Sequence, residues 1–378
     1  MNCYYNPVHT IQGNGSIEEI PALLKRILLP QDCVLLLAWS ETVFELETFK
    51  KLKEDSEFNV HSLCFTASNP TVEQLFEVYT ETKELAPKAV IAVGGGSVMD
   101  VGKSLCCIYG KNLSTADELR SLIENKEYGI PNVKWIGVPT TAGTGSEVTC
   151  WATIWDPEKN AKRSVESQEN YAYAAVVDSN LTAGMPISLA VSSALDAVAH
   201  AIESYWAKGS NLVSKALALG AIKTIMDYID ALLDGDSHAH EYMSQGSMLA
   251  GMAFSNTKTT ACHSISYPLT MKYQIPHGVA VSMLLAPVLK INQTKTENMN
   301  QLFKALGVAD ADALKERIDT ILSRAGIPAS LEAWNVEDEK LSELASLGIT
   351  KGRADNNPVE LTPEMIEEIL KSIYPVCK

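Results

Sequence analysis

The chain is short of positive charge. Thirty-one Lys and Arg stand against 46 Asp and Glu, a net charge of −15 over 378 residues, which repels phosphate backbones and argues against nucleic acid as a partner. Long hydrophobic runs are missing too: no stretch of about eighteen apolar residues occurs, so no membrane span is expected. The N-terminal stretch through Cys3-Tyr4-Tyr5-Asn6-Pro7 has no basic segment followed by an apolar one, and a cytoplasmic protein is expected. The eight cysteines include no C-x-x-C pair, which removes a zinc ribbon and a disulfide framework. Most lie in apolar runs and read as reduced core thiols. The G-x-G-x-x-G dinucleotide fingerprint is also absent.

What is present is an ordinary globular composition, 46% hydrophobic and 20% charged. The length exceeds what one core of roughly 250–300 residues holds, so two domains are expected. Aliphatic runs recur in the first half at Val34–Ala38, Val60–Phe65, Ala89–Val93, Val133–Val138 and Ala174–Val177, separated by helix-length stretches such as Thr71–Ala86 and Ser97–Tyr109. Continuous apolar strands alternating with helices imply a parallel sheet covered on both faces, a doubly wound α/β domain. After Gly184-Met185-Pro186 the periodicity turns helical, in Ser188–Trp206, Leu212–Leu233, Tyr242–Ala253, Met283–Asn292 and Pro363–Ile373. The boundary is set near 184, giving an α/β domain over 1–184 and an all-α domain over 185–378. Residues 234–240 read as an exposed polar loop.

Three segments carry chemistry. The strand ending at Val93 runs through Gly94-Gly95-Gly96 into a helix starting near Ser97, where bare backbone N–H groups and a helix N-terminus favour a diphosphate. The next strand runs into Pro139-Thr140-Thr141-Ala142-Gly143-Thr144-Gly145-Ser146-Glu147, again at a strand's carboxyl end, where open α/β sheets bind ligands. A tight turn without a ligand remains the alternative for either loop. In the helical half, Asp196 and His200 lie four residues apart on one helix face. Two more of the seven histidines, His263 and His277, stand among small or apolar residues. These four form a set suited to Zn²⁺ or Fe²⁺ with an open position, although each residue could also be an ordinary core or helix-stabilising group. His9, His61, His238 and His240 have no such setting.

Together Gly94-Gly95-Gly96-Ser97 with Asp100 and Lys103, the Pro139–Glu147 loop, Asp196-x-x-x-His200-x-x-Glu203-x-Tyr205, His263 and Pro276-His277-Gly278 resemble the iron-containing (group III) alcohol dehydrogenases. The resemblance implies a Rossmann-like nucleotide-binding domain, a dehydroquinate synthase-like helical domain and a cleft between them. It implies that Asp196, His200, His263 and His277 ligate one divalent metal, Fe²⁺ or alternatively Zn²⁺. Gly95, Gly96, Ser97, Asp100, Thr140, Thr141 and Thr144 fall on the positions that bind NAD(H) or NADP(H). A homodimer is implied as well. In the reducing direction a proton must reach the product oxygen; ligating histidines cannot supply it, and water or the cofactor ribose is the better route.

Two positions depart from the family. Tyr267 stands where many members carry a second histidine near the nicotinamide, and a phenol with an ordinary pKa of about 10 is a poorer proton shuttle near neutrality. Trp39 stands where NAD-preferring members often place an acid against the adenosine ribose, so the choice of cofactor stays open. The run from Lys258-Thr259-Thr260 through His263 to Tyr267-Pro268 is similar to that of phosphonoacetaldehyde reductases (2-hydroxyethylphosphonate dehydrogenases). On that resemblance Lys258, with Thr259 or Thr260, holds an anionic substrate tail; a lysine reaching out to water is the alternative. The expected activity is NAD(P)-linked interconversion of a small aldehyde and its primary alcohol. A general alcohol or diol dehydrogenase with a neutral pocket, and a nucleotide- or metal-sensing protein without turnover, are the competing readings.

Overall fold

The computed structural model describes residues 3–55, 57–159, 161–349 and 352–374. The chain forms two compact units. A sheet unit comprises Asn6–Thr141 and Ser146–Thr182, and a helical unit comprises Met1–Tyr5, Ala142–Gly145 and Ala183–Lys378. The four residues 142–145 therefore leave the sheet unit and return, an excursion that a single cut near 184 does not include.

In the sheet unit the strands are β1 (His9–Gln12), β2 (Cys33–Ala38), β3 (Asn59–Cys64), β4 (Ala89–Gly94), β5 (Lys134–Pro139), β6 (Trp151–Asp156), β7 (Ala161–Glu166) and β8 (Ala174–Val177). Six form one parallel sheet in the order β1-β8-β5-β4-β2-β3. Helices α1 (Ile20–Lys25), α2 (Glu47–Glu54), α3 (Val72–Thr82), α4 (Gly96–Ile108) and α5 (Ala116–Glu124) connect them. The central strands are buried on both faces because successive side chains point to opposite sides. Leu35, Leu37, Val90, Ala92 and Trp135 enter one core, while Val34, Leu36, Ile91, Val93, Ile136 and Val138 enter the other. The doubly wound α/β expectation holds. The antiparallel pair β6–β7 is not legible from the sequence, since β7 alternates Lys162 and Ser164 with Arg163 and Val165 and lacks an aliphatic run.

The helical unit contains α6 (Ile187–Trp206), α7 (Leu212–Leu233), α8 (Ala239–Thr257), α9 (Ala261–Tyr273), α10 (His277–Asn292), α11 (Met299–Leu306), α12 (Ala311–Arg324), α13 (Leu341–Leu347) and α14 (Pro363–Ser372). Helix α6 is rich in Ala and Val and is buried almost all round, packed against α7, α8 and α10. Two expectations are corrected here. The polar loop ends at His238, because α8 already begins at Ala239 and takes in His240. Helix α10 starts six residues before Met283, with Pro276 preceding it and His277 as its first residue. The seven described cysteines are free and Cys377 lies outside the described residues. No helix among the described residues is long and apolar enough to cross a membrane.

Candidate metal centre and nucleotide loops

Helix α6 presents Asp196, His200 and Glu203 at i, i+4 and i+7, a spacing that lines one helix face. All three are buried. His263 comes from the first turn of α9 and His277 from the first residue of α10. Asp196, His263 and His277 each bring one ligand atom into a group whose members all lie within 4.8 Å of one another. Asp196 Oδ1 is 3.5 Å from His263 Nε2 and 3.9 Å from His277 Nε2. His200 stands beside this group: its ring stacks on His263 at 4.5 Å and on Phe254 at 4.1 Å, with Nδ1 4.0 Å from Asp196 Oδ2.

Two of the histidines are oriented by a further group, and the third by the packing of its neighbour. Glu203 Oε2 lies 2.5 Å from His263 Nδ1 and also accepts from the Thr260 amide at 3.0 Å, while Oε1 accepts from the Thr260 hydroxyl at 2.8 Å and the Cys262 amide at 2.6 Å. One carboxylate thus caps the start of α9 and turns His263 Nε2 toward Asp196. His200 Nδ1 faces the Gly143 carbonyl at 3.3 Å; with the proton there, Nε2 is left as the free lone pair. Gly278, next to His277, is packed so tightly on α6 that an added Cβ would fall 2.0 Å from the Ser192 carbonyl oxygen.

The electrostatics follow from this packing. Burial alone pushes the Asp196 carboxyl up, but the facing imidazoles of His200, His263 and His277 outweigh it and hold it ionised, well below the ordinary range. Burial lowers His200 to about 4, so it is neutral. Burial would also raise Glu203, yet His263 and the Thr260 donors bring it down to about 2. Asp196 Oδ1 and His263 Nε2 are buried and have no hydrogen-bond partner among the described residues, a costly arrangement for polar atoms 3.5 Å apart. Two aimed and unsatisfied ligand atoms, with imidazole and carboxylate chemistry, fit a divalent cation such as Fe²⁺ or Zn²⁺. The His277 side chain is 36% exposed, against 3% for His263, so the group opens on the His277 side.

Tyr267, one turn after His263, stacks on the His277 ring at 6.0 Å. Burial pushes its phenol up to about 12, further from a proton shuttle than its ordinary value. Lys258 ends α8 with φ of 61° and an exposed side chain, its backbone flanked by Asn356, which donates to the Thr257 and Thr259 carbonyls at 2.8 and 3.1 Å. The Thr260 hydroxyl accepts from Trp206 Nε1 while donating to Glu203 and is fully buried. The Thr259 hydroxyl accepts from Arg353 Nη1 at 2.5 Å.

In the sheet unit, Gly94 ends β4 and α4 begins at Gly96, so Gly95 occupies the turn between them. An added Cβ on Gly95 would press on the Thr141 hydroxyl at 3.3 Å. Ser97 accepts from the Asn69 amide, and the Thr140 amide extends the β4–β5 ladder to the Gly94 carbonyl. Beneath these loops lies fully buried Lys103, whose ammonium donates to Ser146 Oγ at 2.7 Å, Thr149 Oγ1 at 2.8 Å and the Trp151 carbonyl at 3.0 Å. Asp100 accepts from the Thr153 amide at 3.1 Å and Ser146 Oγ at 3.4 Å. Both residues tie α4 to the segment after the second loop, so Asp100 spends its carboxylate inside the unit. Thr144 belongs with residues 142–145 to the helical unit, where Gly145, at φ +55°, would bring a Cβ to 2.5 Å from Gly251 Cα.

The sequence alone assigns no role to Glu203 or Arg353. The i, i+4, i+7 face of α6 is a signal that could flag Glu203; no local pattern marks Arg353.

Comparison with known proteins matches residues 7–179 to the family described as iron-containing alcohol dehydrogenase and residues 190–374 to its C-terminal part. Lactaldehyde reductase of Escherichia coli (strain K12) is 32% identical over 315 residues, covering 81% of this chain and 82% of its own. The 4-hydroxybutyrate dehydrogenase of Clostridium kluyveri is 29% identical over 321 residues, 81% of this chain and 84% of its own. Among solved structures, sulfoacetaldehyde reductase from Bifidobacterium kashiwanohense in complex with NAD+ has a TM-score of 0.88 at 27% identity, covering 99% of this chain and 98% of its own.

Proposed function

Because the chain belongs to the iron-containing alcohol dehydrogenase family, an oxidoreductase of aldehydes and alcohols, we propose that it is an NAD(P)-linked reductase of a small aldehyde that carries an anionic tail, phosphonoacetaldehyde being the candidate of that class. The observation that carries the metal-dependent reading is the pair of buried ligand atoms on Asp196 and His263, unpartnered among the described residues, with the group open on the His277 side. Asp196, His263 and His277, with His200 beside them, would hold the metal. Gly95, Gly96, Ser97, Thr140, Thr141 and Thr144 would hold the dinucleotide, with Asp100 fixing the helix they lead into. When bound, the metal supplies Lewis-acid polarisation of a carbonyl and the nicotinamide supplies hydride.

The chain's own residues set the conditions. Glu203 holds the proton of His263 on Nδ1, the Gly143 carbonyl does the same for His200, and neither proton is free to leave. Tyr267 stays a neutral phenol that walls the site beside His277. None of these groups gives up a proton, so the proton for the product oxygen would be supplied by water or, when the cofactor is bound, by its ribose. Lys258 adds positive charge at an exposed position. The anionic substrate draws support from the sulfoacetaldehyde and 4-hydroxybutyrate relatives; the lactaldehyde relative favours the second reading, a neutral aldehyde. Assembly as a homodimer rests on the family resemblance.

The test is NADH and NADPH oxidation by the Fe²⁺-reconstituted protein with phosphonoacetaldehyde beside propionaldehyde. A kcat/KM preference of about 100-fold for the phosphonate, roughly 2.7 kcal/mol of differential transition-state binding, is expected. Equal or better rates with propionaldehyde assign the neutral substrate instead.

A further inference from the structure

Six arginines occur in the sequence. Four of them are paired with carboxylates: Arg120 with Glu73, Asp117, Asp156 and Glu158, Arg163 with Asp156 and Glu124, and Arg317 and Arg324 with Asp230. Arg26 is exposed. Arg353 differs from all of these: it is half-buried, yet no carboxylate pairs with it among the described residues. A guanidinium withdrawn from water without a counter-charge is costly, and in a chain with fifteen excess negative charges a partner is easily supplied by sequence.

It lies against Tyr267, the ring that neighbours His277. The guanidinium carbon lies 5.3 Å from the Tyr267 ring centroid, and that ring stacks on His277 at 6.0 Å, so Arg353 is no more than about 11 Å from the His277 ring. Nη1 donates to Thr259 Oγ1, which fixes the fork while leaving its other donors without an acceptor among the described residues. Planar N–H donors in fixed geometry match the oxygens of a phosphonate, sulfonate or carboxylate bidentately, which the exposed point charge of Lys258 does not.

We propose that Arg353 is the specificity-determining residue that binds the anionic tail of the aldehyde, its counter-charge being the substrate itself. The inference rests on the anionic-aldehyde reading above and adds which residue reads the anion. Phosphonoacetaldehyde carries the carbonyl and the anion on adjacent carbons, and longer carboxylate aldehydes suit the same pair of anchors.

The test uses the Fe²⁺-reconstituted protein, Arg353→Met and Arg353→Lys, with phosphonoacetaldehyde and propionaldehyde as substrates and ethylphosphonate as an inhibitor of propionaldehyde reduction. Arg353→Met is expected to lower kcat/KM for phosphonoacetaldehyde at least about tenfold, through KM, and to weaken ethylphosphonate inhibition equally. Propionaldehyde reduction should change less than about threefold, and Arg353→Lys should recover part of the loss. A wild-type preference for the phosphonate that survives in Arg353→Met would overturn the inference and leave the anionic reading standing. Equal losses with both aldehydes would also overturn it, reducing Arg353 to a support for Thr259. No phosphonate preference and no ethylphosphonate inhibition in the wild type would overturn both.

Discussion

The two units build their candidate sites from opposite materials. In the helical unit the site is made of side chains, each aimed by another buried group: Glu203 aims His263, the Gly143 carbonyl aims His200, and the Gly278 contact with Ser192 sets where His277 begins α10. In the sheet unit it is made of backbone and small residues, and the buried cation beneath, Lys103, is fully satisfied by three acceptors of its own unit. The contrast shows where each ligand would be felt. The helical unit leaves polar side-chain atoms waiting for a partner, whereas the sheet unit offers backbone N–H groups at a strand end and helix start, a general cradle for a diphosphate.

The comparison breaks most sharply under paired substitutions. Asp196→Ala removes the one carboxylate facing all the site histidines and should abolish stoichiometric Fe²⁺ or Zn²⁺ binding, with kcat/KM down by about 10³ or more. Gly95→Ala, which must displace Thr141, should instead raise KM for the nicotinamide cofactor by about tenfold while metal content stays intact. Elemental analysis beside steady-state kinetics reads both. Metal loss in Gly95→Ala, or full metal in Asp196→Ala, would erase the division between the two sites.

A smaller effect sharpens the claim that the helical site is oriented from behind. Glu203→Gln keeps the shape but removes the charge that accepts from His263 and from the start of α9. It should weaken metal affinity about 10–100-fold, measured by competition with a chelator, with kcat at saturating metal much less affected. Unchanged affinity would reduce Glu203 to a helix cap.

Much of this is legible in the order of the residues. The aliphatic runs mark the central parallel strands closely because doubly buried strands must be apolar throughout, and Asp196, His263 and His277 stand out as rare polar groups in small or apolar surroundings. The failures have physical causes. Strand β7 of the hairpin alternates exposed Lys162 and Ser164 with less exposed residues, so it shows no apolar run. Helix α9 carries Pro268 in its interior, which reads as a break although flanking bonds sustain the helix. Glu203 acts on residues nearly sixty positions away, and Arg353 reaches Thr259 across 94, pairings that no local period encodes.

The smallest expected effect concerns the sheet unit alone. Glu147 is buried under Gly137, whose added Cβ would lie 3.0 Å from Glu147 Cβ, and burial raises its carboxyl from an ordinary 4.5 to about 7, against the opposing pull of Lys103. A carboxyl raised on folding favours the folded state most below the unfolded value, and that favour is lost as pH rises through about 7. Lys103, lowered by burial to about 8, works the other way, its contribution being lost as pH falls through that value. Glu147→Gln removes the first dependence and keeps the second. From pH 5.5 to 8 the wild type should therefore lose about 1–3 kcal/mol relative to the variant, a relative Tm change on the order of 2–6 °C by thermal unfolding. Parallel Tm curves for the two proteins would mean that the Lys103 ammonium already holds Glu147 ionised throughout, making the support of the nucleotide loops an ion pair in place of a neutral acid beside a cation.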